Sequence, residues 1–371
     1  MSDAPVTLSQ VAREAGVSLA TASRAINGSA TRSVRQDLRE RVLETARRLD
    51  YSPDPSAQAM ARGRTSALGL VVHDIADPYF STIAAGVTRA AEREGLIVTL
   101  SSTEHSPGRE LAFVELARRQ RSRAIILAGS RAVLPAALPG ALAGALAGAP
   151  SGEAAARMES DAKALESALT SFREAGGGVA TIGQGVGDLP VVEIDNAGGA
   201  GALARALHEI GYRRFGVLTG PTGLRTAADR TTGFLDTLTA LGCPVLDRDV
   251  VDGAFTRDGG HDAMTKLLSR TGATTADPEP NRPELVFAVN DVMAVGAMAA
   301  VRDAGLSVPD DVAVAGFDDI HTLRDVSPGL TTVRIPLDEV SEAATMLALG
   351  AAASGAVARG EVVLRDSTPR R

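Results

Sequence analysis

Over the first thirty positions, apolar residues recur at the three- and four-residue spacing of short amphipathic helices. Thr7 caps a first helix, with Gln10 completing a capping box. Gly16 ends this helix because glycine adopts a left-handed turn without steric cost. Ser18 then caps a second helix that runs to about Asn27. The pattern therefore predicts two short helices joined by a tight turn.

A third helix is predicted after this pair. The capping box Ser33-Val-Arg-Gln36 opens it, and Tyr51-Ser-Pro-Asp-Pro55 stops it. Its apolar positions fall on one stripe and are Leu38, Val42, Leu43, Ala46 and Leu49. The next helical pattern, 56–62, is too short to form a stable helix in water, so we expect it to order only against a partner.

From Leu68 the pattern changes to short, continuous apolar runs that alternate with helical stretches. The predicted strands are 68–72, 96–100, 124–127, 213–218, 285–289 and 312–315. The predicted helices are 79–94, 109–120, 198–210, 229–241, 291–304 and 338–349. Apolar strands alternating with helices indicate doubly wound parallel sheets, and the rhythm restarts near Asn196. The predicted fold class is an α-helical head plus an α/β body of two lobes.

Residues 131–178 interrupt this alternation. An Ala/Gly/Pro-rich run at 132–152 is followed by a helical pattern around 154–174. Such a composition fits either a helix-rich insertion or a disordered loop, and both interpretations stay open. The later segment Gly183-Gln-Gly-Val-Gly187 has the wrong spacing for a dinucleotide-binding motif, and it is predicted to be a crossover loop.

Composition narrows the range of functions. Hydrophobic residues make up 44% of the chain and charged residues 22%, which are values of a globular protein. No uncharged apolar run approaches the roughly 18 residues of a membrane span, and the first residues do not resemble a signal peptide. The single cysteine, Cys243, fits a reducing compartment. We therefore expect a cytoplasmic protein with no membrane partner.

No side-chain constellation predicts catalysis or a cofactor. No Cys/His cluster has zinc spacing, and no Ser-His-Asp or paired-carboxylate pattern stands out. We therefore expect no metal, no cofactor and no enzymatic activity.

The distribution of charge along the chain is uneven. The net charge is −7, but residues 1–66 hold 10 arginines and 7 acidic residues, a net charge of +3. A basic head on an acidic body suits a module that binds nucleic-acid phosphates while the body stays clear of them. A solvated charged surface without a partner is the alternative.

The second predicted helix has one face suited to packing on the first helix and another suited to contacting DNA. Its small apolar side comprises Ala22, Ala25 and Ile26. Leu19, Ala20 and Arg24 lie near its N-terminal end on another face, the end that a helix–turn–helix protein places in the major groove. Arg24 could bind guanine O6 and N7 with both arms of its guanidinium. Taken alone, the pair could equally be an ordinary helical hairpin.

The residues that follow make the pattern specific, and the chain resembles the LacI/GalR family of bacterial transcription regulators. The matching residues are Val17, Ser18, Thr21, Ser23, Arg24, Asn27, Tyr51, Pro53, Ala57 and the junction Gly63-Arg-Thr65. The resemblance runs to the C-terminus, interrupted at 131–178. It implies a homodimeric regulator, with repression the favoured output, that binds double-stranded operator DNA under the control of a small-molecule effector.

The resemblance also implies which residues contact DNA. In the head they are Ser18, Leu19, Ala20, Thr21, Ser23, Arg24, Asn27, Tyr51 and Ala57. Met60 stands where the family has a leucine that wedges between base steps in the minor groove, and methionine is a suitable apolar wedge. A plain linker is the alternative for this segment.

The domain division follows from the same resemblance. Residues 1–52 are predicted to form the DNA-binding domain, 53–66 the hinge helix and linker, and 67–371 the effector-binding and dimerisation domain. Within the last, one lobe comprises about 67–195 and 337–360, and the other about 196–336 and 361–371. The final ten residues contain no leucine heptad, so no coiled-coil tetramer tail is expected.

The effector is predicted to bind between the lobes, at the carboxyl ends of the strands. The family resemblance favours Tyr79, Phe80, Arg230 and Asp318, and it is consistent with Gln184. Positions at strand ends and neighbouring loops add Asp77, Asp195, Phe255 and Asn290. Asp77, Asp195 and Asp291 also read as helix caps, which leaves Asn290 as the better ligand candidate beside Asp291.

These polar and aromatic side chains suit a carbohydrate, while a nucleobase or a phosphosugar stays open. The rival function is a solute-binding protein or a small-molecule enzyme on the same two-lobed fold. The absence of a signal-peptide pattern and the N-terminal helices weigh against the first, and the absence of a catalytic constellation weighs against the second.

Overall fold

The computed structural model describes residues 6–28, 33–52, 63–104, 106–130, 152–221, 223–270, 282–352 and 355–371. The chain divides into two compact units, Met1–Ser66 and Ala67–Arg371. The predicted hinge residues Ala57 and Met60 lie outside the described residues, as do residues 131–151, which include all but the last residue of the Ala/Gly/Pro-rich run at 132–152.

The N-terminal unit contains three helices, α1 (Leu8–Glu14), α2 (Leu19–Asn27) and α3 (Gln36–Arg48). The predicted capping box of α1 is confirmed: Thr7 Oγ1 accepts from the Gln10 amide at 3.3 Å, and Gln10 Oε1 accepts from the Thr7 amide at 2.7 Å. Gly16 takes a φ of +65° in the turn, as predicted. The core of small residues comprises Val11, Ala12, Ala15, Ala22, Ala25, Val42 and Ala46. The small side chains let three short helices pack closely.

The predicted capping box at the start of α3 is wrong. This helix begins only at Gln36, with Arg35 in the N-cap position and no side-chain cap. Arg35 Nη2 donates instead to Asp37 Oδ2 at 2.6 Å. Asp37 lies in the first turn, where a carboxylate interacts favourably with the positive end of the helix dipole. A charged first turn thus takes the place of the serine cap.

The second unit continues the alternation of strands and helices. Its strands are β1 (Ala67–Val72), β2 (Ile97–Ser102), β3 (Ala124–Gly129), β4 (Gly178–Gly183), β5 (Val191–Ile194), β6 (Phe215–Thr219), β7 (Val250–Asp252), β8 (Leu285–Ala288), β9 (Ala313–Ala315), β10 (Thr332–Arg334), β11 (Val357–Ala358) and β12 (Glu361–Val363). Its helices are α4 (Pro78–Arg93), α5 (Pro107–Arg119), α6 (Glu153–Glu174), α7 (Asn196–Glu209), α8 (Arg225–Ala240), α9 (Arg257–Arg270), α10 (Asp291–Asp303) and α11 (Leu337–Ala348).

Two parallel sheets organise this unit, as the apolar strand pattern predicts. The first has the order β11-β5-β4-β3-β1-β2 and the second the order β7-β6-β8-β9. We call them and their helices the N-lobe and the C-lobe. β10 pairs with β12 in an antiparallel ribbon. The C-terminus returns to the C-lobe, where the Arg371 amide donates to Ile210 O at 2.8 Å and Ser367 Oγ donates to Val314 O at 2.6 Å.

The part of the interrupting segment that the structure describes is helical. Helix α6 packs through Leu165, Leu169 and Phe172 on the N-lobe sheet, beside Phe113 and Val179. This half of the interruption is therefore an ordinary crossover helix between β3 and β4. In the described part of the chain, no helix is long and apolar enough to cross a membrane.

Candidate DNA-binding face and effector cleft

In the N-terminal unit, the first turn of α2 faces solvent. The Leu19 side chain is 51% exposed, and Ser18 and Ala20 are also exposed. Ser18 Oγ accepts from the Thr21 amide at 3.1 Å, so it is the cap that the sequence predicts. Arg24 Nε donates to Ala20 O at 2.9 Å, and this hydrogen bond holds the Arg24 side chain against the first turn of α2. The N-terminal end of α2 therefore presents two apolar side chains, Leu19 and Ala20, beside the polar side chains of Ser18 and Arg24.

Ser23 and Asn27, also predicted to contact DNA, lie further along α2. Asn27 Nδ2 donates to Ser23 Oγ at 3.3 Å, one turn further along α2. Both residues are half-buried. Tyr51 is also half-buried and packs against the apolar core of the three helices, so it supports the unit from within.

In the second unit, Arg230 and Asp318 form a buried ion pair in the C-lobe. Arg230 Nη2 donates to Asp318 Oδ1 at 2.7 Å, and Nη1 donates to Oδ2 at 3.3 Å. Arg230 Nε donates to Asn196 Oδ1 and Nη1 to Val289 O, both at 2.8 Å. The Phe317 ring lies 3.9 Å from the guanidinium carbon. Two residues predicted for the effector site therefore bind each other, and Asn196 and Phe317 support them.

The carboxylates of Asp318 and Asp319 serve two different networks. Both residues have a positive φ, +116° and +52°, a region that non-glycine residues rarely adopt. Asp319 accepts from Arg334 Nε at 2.7 Å, Arg324 Nη2 at 3.0 Å and Arg365 Nη2 at 2.5 Å. These arginines hold the pKa of Asp319 below its usual value, although burial acts in the other direction. Sequence reasoning did not single out this network.

The prediction that Asp291 caps α10 is wrong, because Asn290 takes that position. Asn290 caps α10, because its Oδ1 accepts from the Met293 amide at 2.9 Å. Asp291 is instead buried, and it accepts from Thr332 Oγ1 at 2.6 Å and from the Ile320 amide at 2.9 Å. Burial, reinforced by the charge of Asp318, raises the pKa of Asp291 to about 8. Asn and Asp cap helices equally well, so the sequence could not decide between them.

Asp77, Tyr79 and Phe80 lie together where α4 begins in the N-lobe. Asp77 Oδ1 accepts from the Tyr79 amide at 2.9 Å, which makes it the cap of this helix. Burial raises the pKa of Asp77 to about 6, and the charges of Asp318 and Asp74 add to the rise. Burial and Asp318 also raise the pKa of Tyr79. The charge of the C-lobe residue Asp318 therefore acts on these N-lobe groups.

A buried histidine, His73, packs behind Phe80 at the start of α4. It was not identified from the sequence. The His73 ring stacks on Phe80 with a centroid distance of 5.6 Å, and its Nε2 lies 3.6 Å from Glu110 Oε1. Phe80 in turn meets Tyr79 edge to face at 5.1 Å. The aromatic pair is therefore held from behind by the His73–Glu110 contact.

A hydrogen bond joins the two lobes at the start of α8. Ser130 follows β3 in the N-lobe, and its Oγ accepts from the Thr226 amide at 3.0 Å. Thr226 lies in the first turn of α8, whose N-cap residue, Leu224, has no side chain able to cap. The N-lobe thus supplies the cap of a C-lobe helix.

The remaining predicted residues are placed as follows. Asp195 caps α7 by accepting from the Gly198 amide at 2.9 Å. Phe255 packs against Gly220, where the Cβ of any larger residue would come within 2.0 Å of the ring. Gln184 is half-buried directly after β4. Among the described residues, no group of three His, Cys, Asp or Glu side chains could hold a metal ion.

Comparison with known families covers both units. A family model for the bacterial regulatory proteins of the lacI family matches residues 7–54. A model for periplasmic binding proteins and the sugar-binding domain of the LacI family matches 65–137. A periplasmic-binding-protein-like domain model matches 204–370. Family models thus match parts of both the N-terminal unit and the two-lobed body.

Curated relatives align along almost the whole chain. The transcriptional regulator GalS of Salmonella typhimurium is 32% identical over 351 residues, which are 94% of this chain and 90% of GalS. The transcriptional repressor CytR of Escherichia coli K12 is 30% identical over 368 residues, which are 98% of this chain and 96% of CytR. Both relatives are named as regulators and not as enzymes.

Solved structures share the fold. A lac repressor dimer bound to operator and the anti-inducer ONPF has a TM-score of 0.77 at 24% identity and covers 99% of this chain and 100% of its own. A complex of the transcriptional regulator CelR with cellobiose has a TM-score of 0.62 at 26% identity and covers 98% and 99%.

Proposed function

Because this chain belongs to the LacI family of bacterial regulatory proteins, we propose that it is a transcriptional repressor that binds operator DNA through its N-terminal unit. The observation that carries this proposal is the exposed first turn of α2, with Leu19 at 51% exposure and Arg24 fixed beside Ala20. This turn is the part of a helix–turn–helix protein that reads base edges. The +3 charge of residues 1–66 suits the approach to phosphates.

The body would sense a small carbohydrate and would not catalyse a reaction. CelR, a relative in fold, is described with bound cellobiose. The charge of Asp318 acts on Asp77 and Tyr79 of the other lobe, and we propose that these three residues line the effector cleft. Binding that favours one arrangement of the lobes would change operator affinity through a coupling free energy of about 1–3 kcal/mol.

We propose that the operator-binding form is a homodimer that acts in the cytoplasm, where bacterial DNA lies. The lac repressor, a relative in fold, is described as a dimer on its operator. In this chain the edge strand β2 exposes Ile97 at 73% and Leu100 at 39%. An exposed apolar edge strand is a surface that a second copy would cover. The half-sites of the operator would then form a near-palindrome.

DNA binding is tested by selecting duplexes from a random pool with the full-length protein at low salt. The enriched sequence should contain two related half-sites, and fluorescence anisotropy should give a lower Kd for it than for a scrambled duplex. Arg118→Ala, on helix α5 of the body, is a control that should leave the Kd unchanged. The absence of any enriched duplex at low salt would remove the proposal.

A further inference from the structure

A cluster of arginines lies where helix α5 ends and strand β3 begins. Residues 116–130 contain four arginines and no acidic residue, although residues 67–371 are acidic overall. Arg118 is bound to Glu115 at 2.9 Å, so its charge is offset within the helix. Arg119, Arg121 and Arg123 are exposed, and we call these three the α5 arginines.

The sheet places the α5 arginines at the edge where the N-lobe strands begin. β1 pairs in parallel with β2 and β3, and β3 pairs in parallel with β4, so all four strands start at this edge. The Arg123 amide donates to Ala67 O at 2.7 Å, and Arg123 O accepts from the Gly178 amide at 3.1 Å. The backbone of Arg123 is therefore fixed between the first residues of β1 and β4. The predicted effector cleft lies at the opposite edge, at the carboxyl ends of the strands.

The same edge receives the chain from the N-terminal unit. That unit ends at Ser66, and Ala67 is the first residue of β1. A duplex bound by the N-terminal unit is therefore tethered to this edge of the body through the linker. Duplex DNA carries one negative charge per about 1.7 Å of its axis, so its charge density suits an exposed run of arginines.

Arg121 occupies a backbone position that glycine holds after six other helices of the described body. After α5 this residue has a φ of +53°. At the corresponding position, α4, α6, α7, α8, α10 and α11 are followed by glycines with positive φ, which are Gly95, Gly176, Gly211, Gly242, Gly305 and Gly350. A residue with a Cβ is strained in this region, whereas glycine is not. Such strain is typical of functional positions.

Other charges at this edge do not cancel the α5 arginines. The segments 92–95 and 173–177, which precede β2 and β4, together hold three acidic residues and two arginines. Their net charge of −1 is smaller than the charge of +3 of the α5 arginines. Stabilisation of the helix dipole is an alternative role for an arginine at a helix C-terminus. It would account for Arg119 but not for Arg121 and Arg123, which follow the helix.

We propose, on the basis of the proposed function, that the α5 arginines bind the phosphate backbone of the duplex beside the half-site held by the N-terminal unit. Guanidinium groups form charge-assisted hydrogen bonds with phosphate oxygens. Contacts of this kind carry no sequence information. The body therefore adds affinity for any duplex, and base preference is left to helix α2.

The salt dependence of DNA binding tests this inference on the full-length protein. Anisotropy titrations between about 50 and 200 mM salt would compare the selected operator with a scrambled duplex. Arg119→Gln/Arg123→Gln should weaken binding to both at least about tenfold at about 100 mM salt, and the slope of log Kd against log salt should become shallower by about one unit or more. The ratio of the two Kd values should equal that of the wild type. Arg119→Lys/Arg123→Lys keeps both charges and should keep the wild-type slope.

Arg109→Gln/Arg205→Gln is the matched control. Both side chains are exposed, Arg109 in the first turn of α5 and Arg205 on α7 of the C-lobe. This variant removes two positive charges away from the proposed surface, so it should bind both duplexes like the wild type. A slope change below about one unit in Arg119→Gln/Arg123→Gln, or an equal change in the control, would overturn the inference.

Arg121→Gly separates contact with DNA from support of the fold. Glycine adopts a positive φ without strain, so the urea midpoint should be at least as high as that of the wild type. Affinity for both duplexes should nevertheless fall at least about fivefold at about 100 mM salt. Wild-type affinity in this variant would contradict the role assigned to Arg121.

The wild-type titrations distinguish failure of this inference from failure of the proposed function. If the wild type binds no duplex, the proposed function has failed and the inference fails with it. If the wild type prefers its operator and the double variant has the same slope, the DNA-binding function stands without a contribution from the body. A double variant that becomes monomeric in sedimentation while its slope is unchanged would show that the arginines contact protein, which also overturns the inference.

Discussion

Ser130→Ala should weaken a contact between the two lobes. Helix α8 has Leu224 at its N-cap and no side-chain cap of its own. Ser130 Oγ supplies the missing acceptor to the Thr226 amide at 3.0 Å, and this serine belongs to the other lobe. The cap therefore forms only when the lobes adopt the described arrangement.

The size of the effect follows from the value of a helix cap. Replacing a serine cap with alanine costs about 0.5–2 kcal/mol. If the whole cost destabilises the arrangement in which the lobes touch and leaves an open form unaffected, the population of the touching arrangement relative to the open form falls by about 2- to 30-fold. We propose that the effector binds the arrangement in which the lobes touch, so its apparent Kd should rise by a factor in this range.

A matched control separates lobe contact from general stability. Ser106 Oγ accepts from the Arg109 amide at 3.4 Å and caps α5 entirely within the N-lobe. Ser106→Ala also removes a serine cap, but it should leave the Kd for the effector unchanged. Ser130→Thr keeps an acceptor hydroxyl and should restore most of the affinity.

The assay combines calorimetric titration of the effector with hydrogen exchange of peptides that contain the start of α8. Ser130→Ala should speed exchange there and weaken binding, whereas Ser106→Ala should do neither. Equal effector affinities for the two variants, with equal exchange at Thr226, would refute the assignment of Ser130 as a cap between lobes.

Other changes have distinct expected outcomes. Arg24→Ala should relax base preference at one position of each half-site, at a cost of about 1–3 kcal/mol, as read by competition between operator variants; an unchanged preference would mean that Arg24 does not read a base. The pKa of Asp291 rises from 3.8 to about 8 on folding, so stability is lost as pH increases across this window. In urea unfolding, the free energy of unfolding of the wild type should fall between pH 5 and pH 9 by at least about 1 kcal/mol more than that of Asp291→Asn. Identical pH profiles of the two proteins would contradict this expectation. Asp319→Asn leaves three arginines without their shared anion and should cost about 2–4 kcal/mol of unfolding free energy, since the arginines are partly exposed; a loss below about 1 kcal/mol would show that the network contributes little. Ile97→Lys should shift sedimentation from dimer to monomer, and an unchanged dimer would place the interface elsewhere.

Periodicity was sufficient for most of the architecture. Continuous apolar runs identify β1 and β3 because both are buried on two faces of a parallel sheet. The turn at Gly16 was predictable because its positive φ strongly favours glycine. Boundaries were less certain: α8 begins at Arg225, four residues before the predicted start at 229. That difference places Thr226 in the first turn of the helix.

The site was harder to predict because its contacts join distant positions. Arg230 and Asp318 were each identified by resemblance, but their pairing across 88 positions required the fold. Asp319 binds Arg324, Arg334 and Arg365, and no local pattern links these residues. The Ser130–Thr226 bond spans 96 positions and two lobes, so neither residue carries a signal in its own neighbourhood.

We propose above all that the N-terminal unit binds duplex DNA and that a small carbohydrate bound by the body changes this affinity. The most direct test is the anisotropy-measured Kd of the full-length protein for its selected operator, with and without a saturating neutral saccharide that binds in titration. The account predicts specific binding that changes by about 5- to 150-fold when the saccharide is added. A Kd that is the same for operator and scrambled duplex, or that does not respond to a saccharide bound in the cleft, would contradict it.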